Sequence, residues 1–398
     1  MGINISEIVS SGDCTGCGIC IAACPVKCIS QEKSAVSVDA SSCIGCGMCL
    51  SICPGKDDEH LSDMSLDHSF IISRGKEATR YTASGGFVVS FLSYLMHKKM
   101  ISGAVVVQMK GSIDSAKAVF AQDIKEIKAS AGSVYFQVPL GDALSQAFSS
   151  GKKFAVVGLP CQIRGIDQLL KKKPSLKRKV FIKIGLFCGF MPGKRAAEFL
   201  IECSREKNPK RISFRAEKDG HEGFLIEAEK EFFIPKSRYV PMINWFFSED
   251  RCFRCSEMIS SYADISCGDA HGFGNKKSLV ISGSTRAENM IKDACSEHFF
   301  TIDKMVGKAE VMKSQGKILA YKTGTARFRQ AISGKKGLKT SSKQKATFIQ
   351  CMGALLYMLN LRISKYLIFR KILCHTPLTI IKMYSYMIYH MLTWGKIK

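Results

Sequence analysis

The sequence CTGCGICIAACP at residues 14–25 returns in closely similar form as CIGCGMCLSICP at residues 43–54. In both copies four cysteines follow the spacing C-x2-C-x2-C-x3-C, a proline comes next, and matched cysteines lie 29 residues apart. Nine of the 18 cysteines lie in the first 53 residues. Because residues 1–13 carry neither a basic nor an apolar export segment, we expect reduced or metal-bound cysteines in a cytoplasmic protein.

This repeat resembles the bacterial two-[4Fe–4S] ferredoxin domain over about residues 6–55, in which the fourth cysteine of each run ligates the other cluster. The resemblance implies one cluster on Cys14, Cys17, Cys20 and Cys53, and a second on Cys24, Cys43, Cys46 and Cys49. A pair of zinc sites is the alternative, but structural zinc takes four ligands per site without interleaving. Cys28 falls outside both runs and is interpreted as a small core residue.

The remaining chain predicts a multidomain protein of the α+β and α/β classes. Hydrophobic residues make up 46% and charged residues 23% of the 398 residues, which is typical of two or three globular domains. Apolar runs at 103–107, 153–157 and 180–184 predict buried strands, and 87–97 and 162–170 predict helices beside them. Residues 210–235 predict a β-hairpin inserted at Asp219-Gly220. We expect domains at 1–60, 70–310 and 311–398.

Three local features of the central region are candidates for chemistry. Ser84-Gly85-Gly86 precedes a predicted helix and follows several cations, which favours either a phosphate-binding helix start or a plain tight turn. Cys161 and Cys188 follow two consecutive predicted strands, where ligands gather in open α/β sheets. Together with Cys252-x2-Cys255 they predict a third [4Fe–4S] site, the alternative being buried apolar thiols.

These features occur in one ordered constellation that resembles the coenzyme F420 hydrogenase/dehydrogenase beta-subunit family over about residues 73–299. The motifs are Ala83-Ser84-Gly85-Gly86, Ala131-Gly132-Ser133-Val134-Tyr135, Leu159-Pro160-Cys161-Gln162, Phe187-Cys188, Cys252-x2-Cys255 and Ala263-Asp264-Ile265-Ser266-Cys267-Gly268-Asp269. The resemblance implies an α/β flavin-binding domain with FAD near Ser84, Gly85, Gly86, Gly132 and Ser133. It also implies a cluster on Cys161, Cys188, Cys252 and Cys255 beside the flavin. His271, in Ala270-His271-Gly272, is either a proton donor to the product or a structural histidine.

The function that the resemblance implies is an iron–sulfur flavoprotein oxidoreductase. Electrons would pass between a ferredoxin-like donor, three [4Fe–4S] clusters, FAD and a small two-electron acceptor, either coenzyme F420 or another molecule. The alternative is an electron-transfer adaptor that has no substrate and feeds a separate catalytic subunit. Either function requires a redox partner protein or catalytic subunit.

The carboxyl-terminal 88 residues, 311–398, carry 17 Lys or Arg and no Asp or Glu, out of a formal net charge of +24. Basic residues interrupt apolar stretches that are shorter than the ~20 residues needed to span a bilayer. This pattern predicts helices, with residues 335–345 as a basic linker before most of them. The helices would contact an anionic membrane at its inner face, an acidic partner, or the protein's own body. No nucleic-acid partner is expected, because no binding motif for one is present.

Overall fold

The computed structural model describes residues 3–32, 35–56, 64–206, 209–334 and 345–395. The amino-terminal segment contains α1 (Ser6–Ser10), α2 (Ile19–Ala23), β1 (Ile29–Glu32), β2 (Ala35–Val38) and α3 (Met48–Ser51). β1 and β2 pair in antiparallel fashion. Gly18 and Gly47 start α2 and α3 with φ values of 75° and 67°, a left-handed conformation that glycine adopts without strain. The predicted domain boundary at residue 60 lies outside the described residues.

The central region alternates strands and helices as expected. Its first half contains β3 (Ser69–Ile72), α4 (Phe87–His97), β4 (Ala104–Gln108), a 3-10 turn (Ile113–Ser115), β5 (Lys117–Ala121), α5 (Ile124–Lys128), α6 (Gly141–Ser149), β6 (Phe154–Gly158), α7 (Pro160–Lys172), α8 (Pro174–Lys177), β7 (Val180–Leu186) and α9 (Lys194–Ser204). Its second half contains β8 (Arg211–Lys218), β9 (His221–Glu227), β10 (Glu231–Pro235), α10 (Lys236–Ile243), α11 (Asp250–Arg254), β11 (Ile265–Asp269), β12 (Ser278–Ser282), α12 (Thr285–Ser296) and β13 (Ile302–Val306).

Eight of these strands form one mixed sheet in the order β13-β3-β12-β11-β7-β6-β4-β5. β4, β6, β7 and β11 are mutually parallel at its centre, and the outer pairings are antiparallel. Successive side chains of a strand point to opposite faces, so Val156 lies in a core with α6 and α7 while Val157 lies in a core with α4 and α12. Helices therefore cover both faces, which confirms the predicted α/β core.

The β-hairpin predicted at Asp219-Gly220 is present, since β8 and β9 pair across this turn. A third strand, β10, extends the hairpin into a separate three-stranded sheet. This sheet packs Phe214 and Phe224 against α9 and α10, and Tyr239 of α10 lies in the same core. The insertion therefore adds a small second core beside the main sheet.

The amino-terminal segment docks on α6 and α7 through close backbone contacts. The Leu140 N–H donates to the Cys17 carbonyl at 2.9 Å. A Cβ on Gly141 would lie 2.3 Å from the Gly18 carbonyl oxygen, so glycine is required for this approach. A buried ion pair joins the amino-terminal segment to α11: Arg254, 1% exposed, donates to Asp13 at 2.6 Å and to the Gly12 carbonyl at 2.7 Å.

We expect Arg254→Met to lower the free energy of unfolding by about 3–5 kcal/mol, because removing one partner of a buried ion pair leaves the other charge uncompensated. The measurement is urea unfolding of anaerobically prepared protein, followed by tryptophan fluorescence. The matched control is Lys365→Met, which breaks the exposed pair with Asp250 at 3.3 Å and should cost less than about 1 kcal/mol. Equal losses in the two variants would contradict this role for Arg254.

The carboxyl-terminal region is helical, as predicted. It contains α13 (Lys308–Gly324), α14 (Ala326–Ile332), α15 (Phe348–Ile363), α16 (Leu367–His375) and α17 (Leu378–Thr393). The boundary expected between residues 310 and 311 falls inside α13, whose Gln315 donates to the Asp269 carbonyl at 2.6 Å. α13 and α14 therefore belong to the main body, because their buried side reaches the functional region.

The last helices pack one side on the body. Tyr357, Ile388 and Leu392 share one core with Trp245 and Phe253. Nearly all of the predicted basic linker, from residue 335 to 344, lies outside the described residues. Across the described ranges, none of the helices is both long enough and apolar enough to span a bilayer.

Candidate cluster and cofactor sites

Most cysteines of the two amino-terminal sets lie together around one small core. Cys24, Cys43, Cys46 and Cys49 line one small cavity. Burial raises the pKa of the Cys20 thiol, and the nearby thiols of Cys17, Cys14 and Cys53, and of Cys49 from the other set, raise it further. Backbone N–H groups of Gly16 and Gly55 each donate to a cysteine sulfur at 3.4 Å. These donors are of the kind that tune the potential of a cluster.

Cys28 lies closer to the second set than the sequence suggested. It is buried in the local core, as predicted, but it also lines the same cavity, and its Sγ lies 3.5 Å from the Cys24 Sγ. Burial raises the pKa of the Cys28 thiol to about 12. A fifth thiol therefore stands beside the four predicted ligands, protonated at neutral pH.

A third cavity, of about 110 Å³, lies between the amino-terminal segment and the main sheet. Its lining includes all four cysteines predicted to hold a third cluster, Cys161, Cys188, Cys252 and Cys255, and also Cys14. Cys161 lies in the first turn of α7 just after β6, and Cys188 comes just after β7. Because β6 and β7 are adjacent and parallel, their carboxyl ends meet at one edge of the sheet.

The segment with Cys252 and Cys255 is held against this edge by α14. Buried Arg329 donates to the Phe253 carbonyl and, at 3.4 Å, to the Cys255 carbonyl, and Gln330 donates to the Arg254 carbonyl at 3.2 Å. Arg329 and Gln330, which lie outside the sequence motifs, thereby orient the short segment that carries the thiols of Cys252 and Cys255. Nothing in the spacing of the cysteines pointed to Arg329.

The electrostatics of this cavity suit a cationic cluster core held by thiolates. Burial raises the pKa of Cys188 to about 12 and of Cys252 to about 11, and raises that of Cys161 well above its ordinary value. Such thiols ionise only when they bind a metal. In the described ranges, no three His, Cys, Asp or Glu side chains converge closely enough for a single metal ion. Thiols arranged around a cavity suit a cubane, which presents its irons at separate corners.

Buried cations complete the lining, and the sequence did not predict them. Arg164, Arg251 and Lys322 all line the cavity and are at most 5% exposed. Burial alone would lower the pKa of Lys322, but the charges of Cys255 and Cys188 raise it far above its ordinary value. A protonated Lys322 would oppose the negative charge of four thiolates. The only sign of Lys322 in the sequence is a charged residue at the end of the apolar run Ile318-Leu319-Ala320-Tyr321-Lys322.

Removing this charge should lower the reduction potential of a cluster in the cavity. We expect Lys322→Met to shift the potential downward by on the order of 100 mV, because one fewer positive charge destabilises the reduced state. An EPR-monitored redox titration measures the shift, and Lys322→Arg should restore the potential. Lys313→Met, which removes an exposed lysine from the same helix, is the control. A potential that stays unchanged in Lys322→Met at full iron content would contradict the assignment.

The largest of the three cavities, about 490 Å³, lies along the same edge of the sheet. Its volume falls within the range of small-molecule and cofactor pockets. Ser84, Gly86, Gly132, Ser133 and His271 all line it, so most of the predicted FAD-binding residues are brought together. Ser84 and Gly86 have φ values of 49° and 75° before α4 begins, which forms a tight turn directly at the helix start.

Gly85 does not line this cavity, contrary to expectation. A Cβ at this position would lie 2.9 Å from the Ile72 carbonyl oxygen and 3.0 Å from that of Ser73. Its N–H donates to the Ser278 hydroxyl at 3.1 Å. Gly85 is therefore required for packing of the turn against the sheet, and a larger residue there would disturb the fold rather than occlude a ligand.

A network of charged side chains, with Arg215 buried and its partners half-buried, lies at one wall of the large cavity. Arg215 donates to Asp269 at 2.8 Å and to Glu222 at 2.7 Å, and Lys236 contacts the same two carboxylates at 3.2 and 2.9 Å. Burial alone would raise the pKa of Asp269, but Arg215 and Lys236 hold it far below its ordinary value. Ser84 donates to Asp269 as well, which ties the turn before α4 to this network.

His271 borders this network. Burial lowers its pKa, so the ring is neutral at neutral pH and can donate only its single N–H. The two basic residues of the network, Arg215 and Lys236, bring positive charge to the cavity. Asp269 and Glu222 balance that charge. Arg215 and Lys236 come from the inserted sheet and the start of α10, which no motif connected to the site.

The cysteine cavity and the large cavity share a wall formed by Leu159, Cys188 and Met191. On its other side the cysteine cavity is lined by Cys14, which belongs to the amino-terminal set. The cysteine cavity therefore adjoins the large cavity on one side and a cysteine of the amino-terminal segment on the other.

Comparison with known proteins gives matches over most of the chain. Residues 7–54 match the 4Fe-4S dicluster domain, which confirms the iron–sulfur character of the amino-terminal segment. Residues 73–145 match the family described as "Coenzyme F420 hydrogenase/dehydrogenase, beta subunit N-term". Residues 151–308 match the family that describes the carboxyl-terminal part of the same coenzyme F420 hydrogenase/dehydrogenase beta subunit.

Two curated relatives come from Methanocaldococcus jannaschii. The chain is 27% identical to its F420-dependent formate dehydrogenase subunit beta, over 58% of this chain and 60% of the relative. It is also 27% identical to the coenzyme F420-dependent sulfite reductase, over 73% of this chain and 47% of the relative. The chain thus spans about half to three fifths of these relatives' length.

A solved structure supports the fold. One chain of the F420-reducing [NiFe] hydrogenase complex from Methanosarcina barkeri superposes with a TM-score of 0.54 at 19% identity, over 71% of this chain and 99% of that chain.

Proposed function

Since the chain belongs to the coenzyme F420 hydrogenase/dehydrogenase beta-subunit family, we propose that it is an iron–sulfur flavoprotein. It would pass electrons between a protein donor and a two-electron carrier such as coenzyme F420. The names of the two relatives, an F420-dependent formate dehydrogenase subunit and an F420-dependent sulfite reductase, support this carrier. A donor protein or catalytic subunit is the second partner that the function requires.

The observation that carries the proposal is the shared wall between the cysteine cavity and the large cavity. Cys188 lines both, so a cluster on Cys161, Cys188, Cys252 and Cys255 would lie next to a cofactor in the large cavity. FAD bound there would supply the exchange between single electrons and electron pairs. Cys14, which lines the cysteine cavity as well, would bring the first amino-terminal cluster close to the third.

The residues of the large cavity have distinct proposed roles. Ser133, Gly132 and the turn at Ser84 line the space for the flavin, and their small side chains leave room for it. Arg215 and Lys236, held in place by Asp269 and Glu222, present donors to an anionic part of a cofactor or carrier. His271, neutral at neutral pH, is available to hold one N–H toward the same space. The main-chain and aliphatic lining limits access of water.

The test is anaerobic turnover of the purified full chain, with a reduced ferredoxin as donor and coenzyme F420 as acceptor. Ferredoxin-dependent loss of F420 absorbance, from a protein that contains flavin and iron, is the expected result. As a control, the same protein stripped of flavin should lose this activity and recover it when FAD is added back.

The alternative is an electron-transfer adaptor with no substrate of its own, which the multi-subunit formate dehydrogenase relative favours. An adaptor would accept electrons from reduced ferredoxin at its clusters without reducing F420 or other small acceptors. It would regain turnover only when a catalytic subunit is added. Flavin-replete protein that behaves in this way would replace the carrier proposal by the adaptor.

A further inference from the structure

The three last helices expose apolar side chains on the side turned away from the body. Phe348 at the start of α15 is 80% exposed, Ile368 in α16 is 75% exposed and Met383 in α17 is 74% exposed. The full exposed set, which we name the outer face, is Phe348, Met352, Leu355, Leu359, Tyr366, Leu367, Ile368, Ile372, Ile380, Met383, Tyr386, Met387 and Trp394. Such an apolar surface is unusual on a protein that stays free in water.

The outer face lies opposite the sides of these helices that are buried in cores of the body. Tyr357 of α15 and Ile388 of α17 pack in the same cluster as Trp245. Gln350 donates to the Trp394 carbonyl at 3.0 Å and Tyr384 donates to Asn360 at 2.9 Å, so the two helices run antiparallel side by side. At 100° per residue, the exposed positions of each helix lie opposite its buried positions.

Positive charge accompanies the apolar side chains, without any negative charge from the same region. Arg362, Lys371 and Lys382 are exposed on α15, α16 and α17. Within the part of the chain that the structure describes, none of these three forms an ion pair, whereas Lys365 and Arg370 pair with acids of the body. Residues 311–398 contribute 17 basic side chains and no acidic one.

We propose that the outer face docks the protein peripherally on an anionic lipid surface. The apolar side chains would enter the boundary between headgroups and acyl chains, while the lysines and arginines reach the lipid phosphates. Exposed Tyr366, Tyr386 and Trp394 are residues that favour this interfacial layer. The helices hold 9 to 16 residues each, which suits lying on the bilayer rather than crossing it.

The charge pattern favours an anionic lipid surface over a second copy of the chain or another protein as the partner of the outer face. A second copy of the chain would bring one basic outer face against another, which like charges oppose. In protein interfaces lysine and other charged residues are depleted at the apolar centre. Here basic residues interrupt the apolar positions along all three helices, as in helices that lie in a membrane interface.

Co-sedimentation of the full chain with vesicles tests the proposal. Vesicles of phosphatidylcholine and phosphatidylglycerol in equal parts should bind the protein, and high salt should release it, because screening weakens the attraction. The variant Arg362→Glu, Lys371→Glu, Lys382→Glu should bind at least about a hundredfold more weakly. A second variant, Phe348→Gln, Ile368→Gln, Met383→Gln, should bind at least about tenfold more weakly through its loss of apolar contact.

The matched control is Lys125→Glu, Lys152→Glu, Lys177→Glu, which makes the same change of net charge at exposed positions on the main body. It should bind like the wild type, and iron content should be equal in all four proteins. Equal losses in the control and the outer-face charge variant would overturn the proposal, since binding would then follow net charge alone. Equal binding to pure phosphatidylcholine, or no binding to either vesicle, would also overturn it.

Discussion

Replacing Cys252 and Cys255 together by serine should remove about four of about twelve iron atoms per chain, with the same number of sulfides. The two thiols face Cys161 and Cys188 across one buried cavity, and a cluster that loses two of four ligands is not retained. The amino-terminal clusters should keep their EPR signals, because their predicted ligands come from residues 14–53. Iron and acid-labile sulfide analysis after anaerobic reconstitution measures the loss.

A matched control is the double substitution Cys295→Ser, Cys351→Ser. Both cysteines are half-buried, and neither is among the described residues that line the three cavities. The control should keep all of its iron. If the wild type held only about eight irons, and the variant with Cys252 and Cys255 replaced held the same number, the prediction of a third cluster would be wrong.

Filling the large cavity should remove the flavin from the protein. Ser133→Trp places an indole where Ser133 lines the space shared with Ser84 and His271. Steric overlap of this kind costs more than the roughly 1.4 kcal/mol that equals one decade of affinity, so FAD occupancy should fall about tenfold or more. Flavin absorbance relative to protein, in the isolated and the FAD-supplemented protein, measures the effect.

Ser175→Trp makes the same substitution at an exposed position of α8, away from the cavity, and should leave flavin content unchanged. The iron content of Ser133→Trp should match the wild type, since Ser133 does not line the cysteine cavity. Full flavin occupancy in a folded Ser133→Trp protein would place the cofactor elsewhere. Gly85→Val is unsuitable for this purpose, because its side chain would meet backbone carbonyls rather than the cavity.

The iron–sulfur character of residues 14–53 could be predicted because its determinants are local. Thiols at fixed short spacings, and glycines such as Gly18 and Gly47 that allow a left-handed backbone beside them, occur within a few residues of each other. Helix α4 and strands β4, β6 and β7 were predicted for the same reason, since hydrophobic periodicity is a property of a short segment.

The partners of these segments were harder to predict. Lys322 and Arg215 line the cavities from α13 and the inserted sheet, and Arg329 of α14 donates to the Cys255 carbonyl. Each of the three is an unremarkable basic residue in the sequence. The boundary predicted between residues 310 and 311 lies inside a helix for the same reason. It was placed where motifs and acidic residues end, whereas α13 continues through it and packs on Asp269.

Cysteine spacing and hydrophobic period thus established an iron–sulfur domain, an α/β body and a basic helical end from short stretches of chain. The strand order β11-β7-β6 determines which residues from distant parts of the chain become neighbours. It brings Cys161 and Cys188 to one edge and places β11, the strand that follows Cys255, next to β7. Which strands become neighbours depends on the burial of apolar surface summed over the whole chain, with helices on both faces of the sheet. No short segment contains that sum, so the cavities and their buried cations follow from the assembled fold alone.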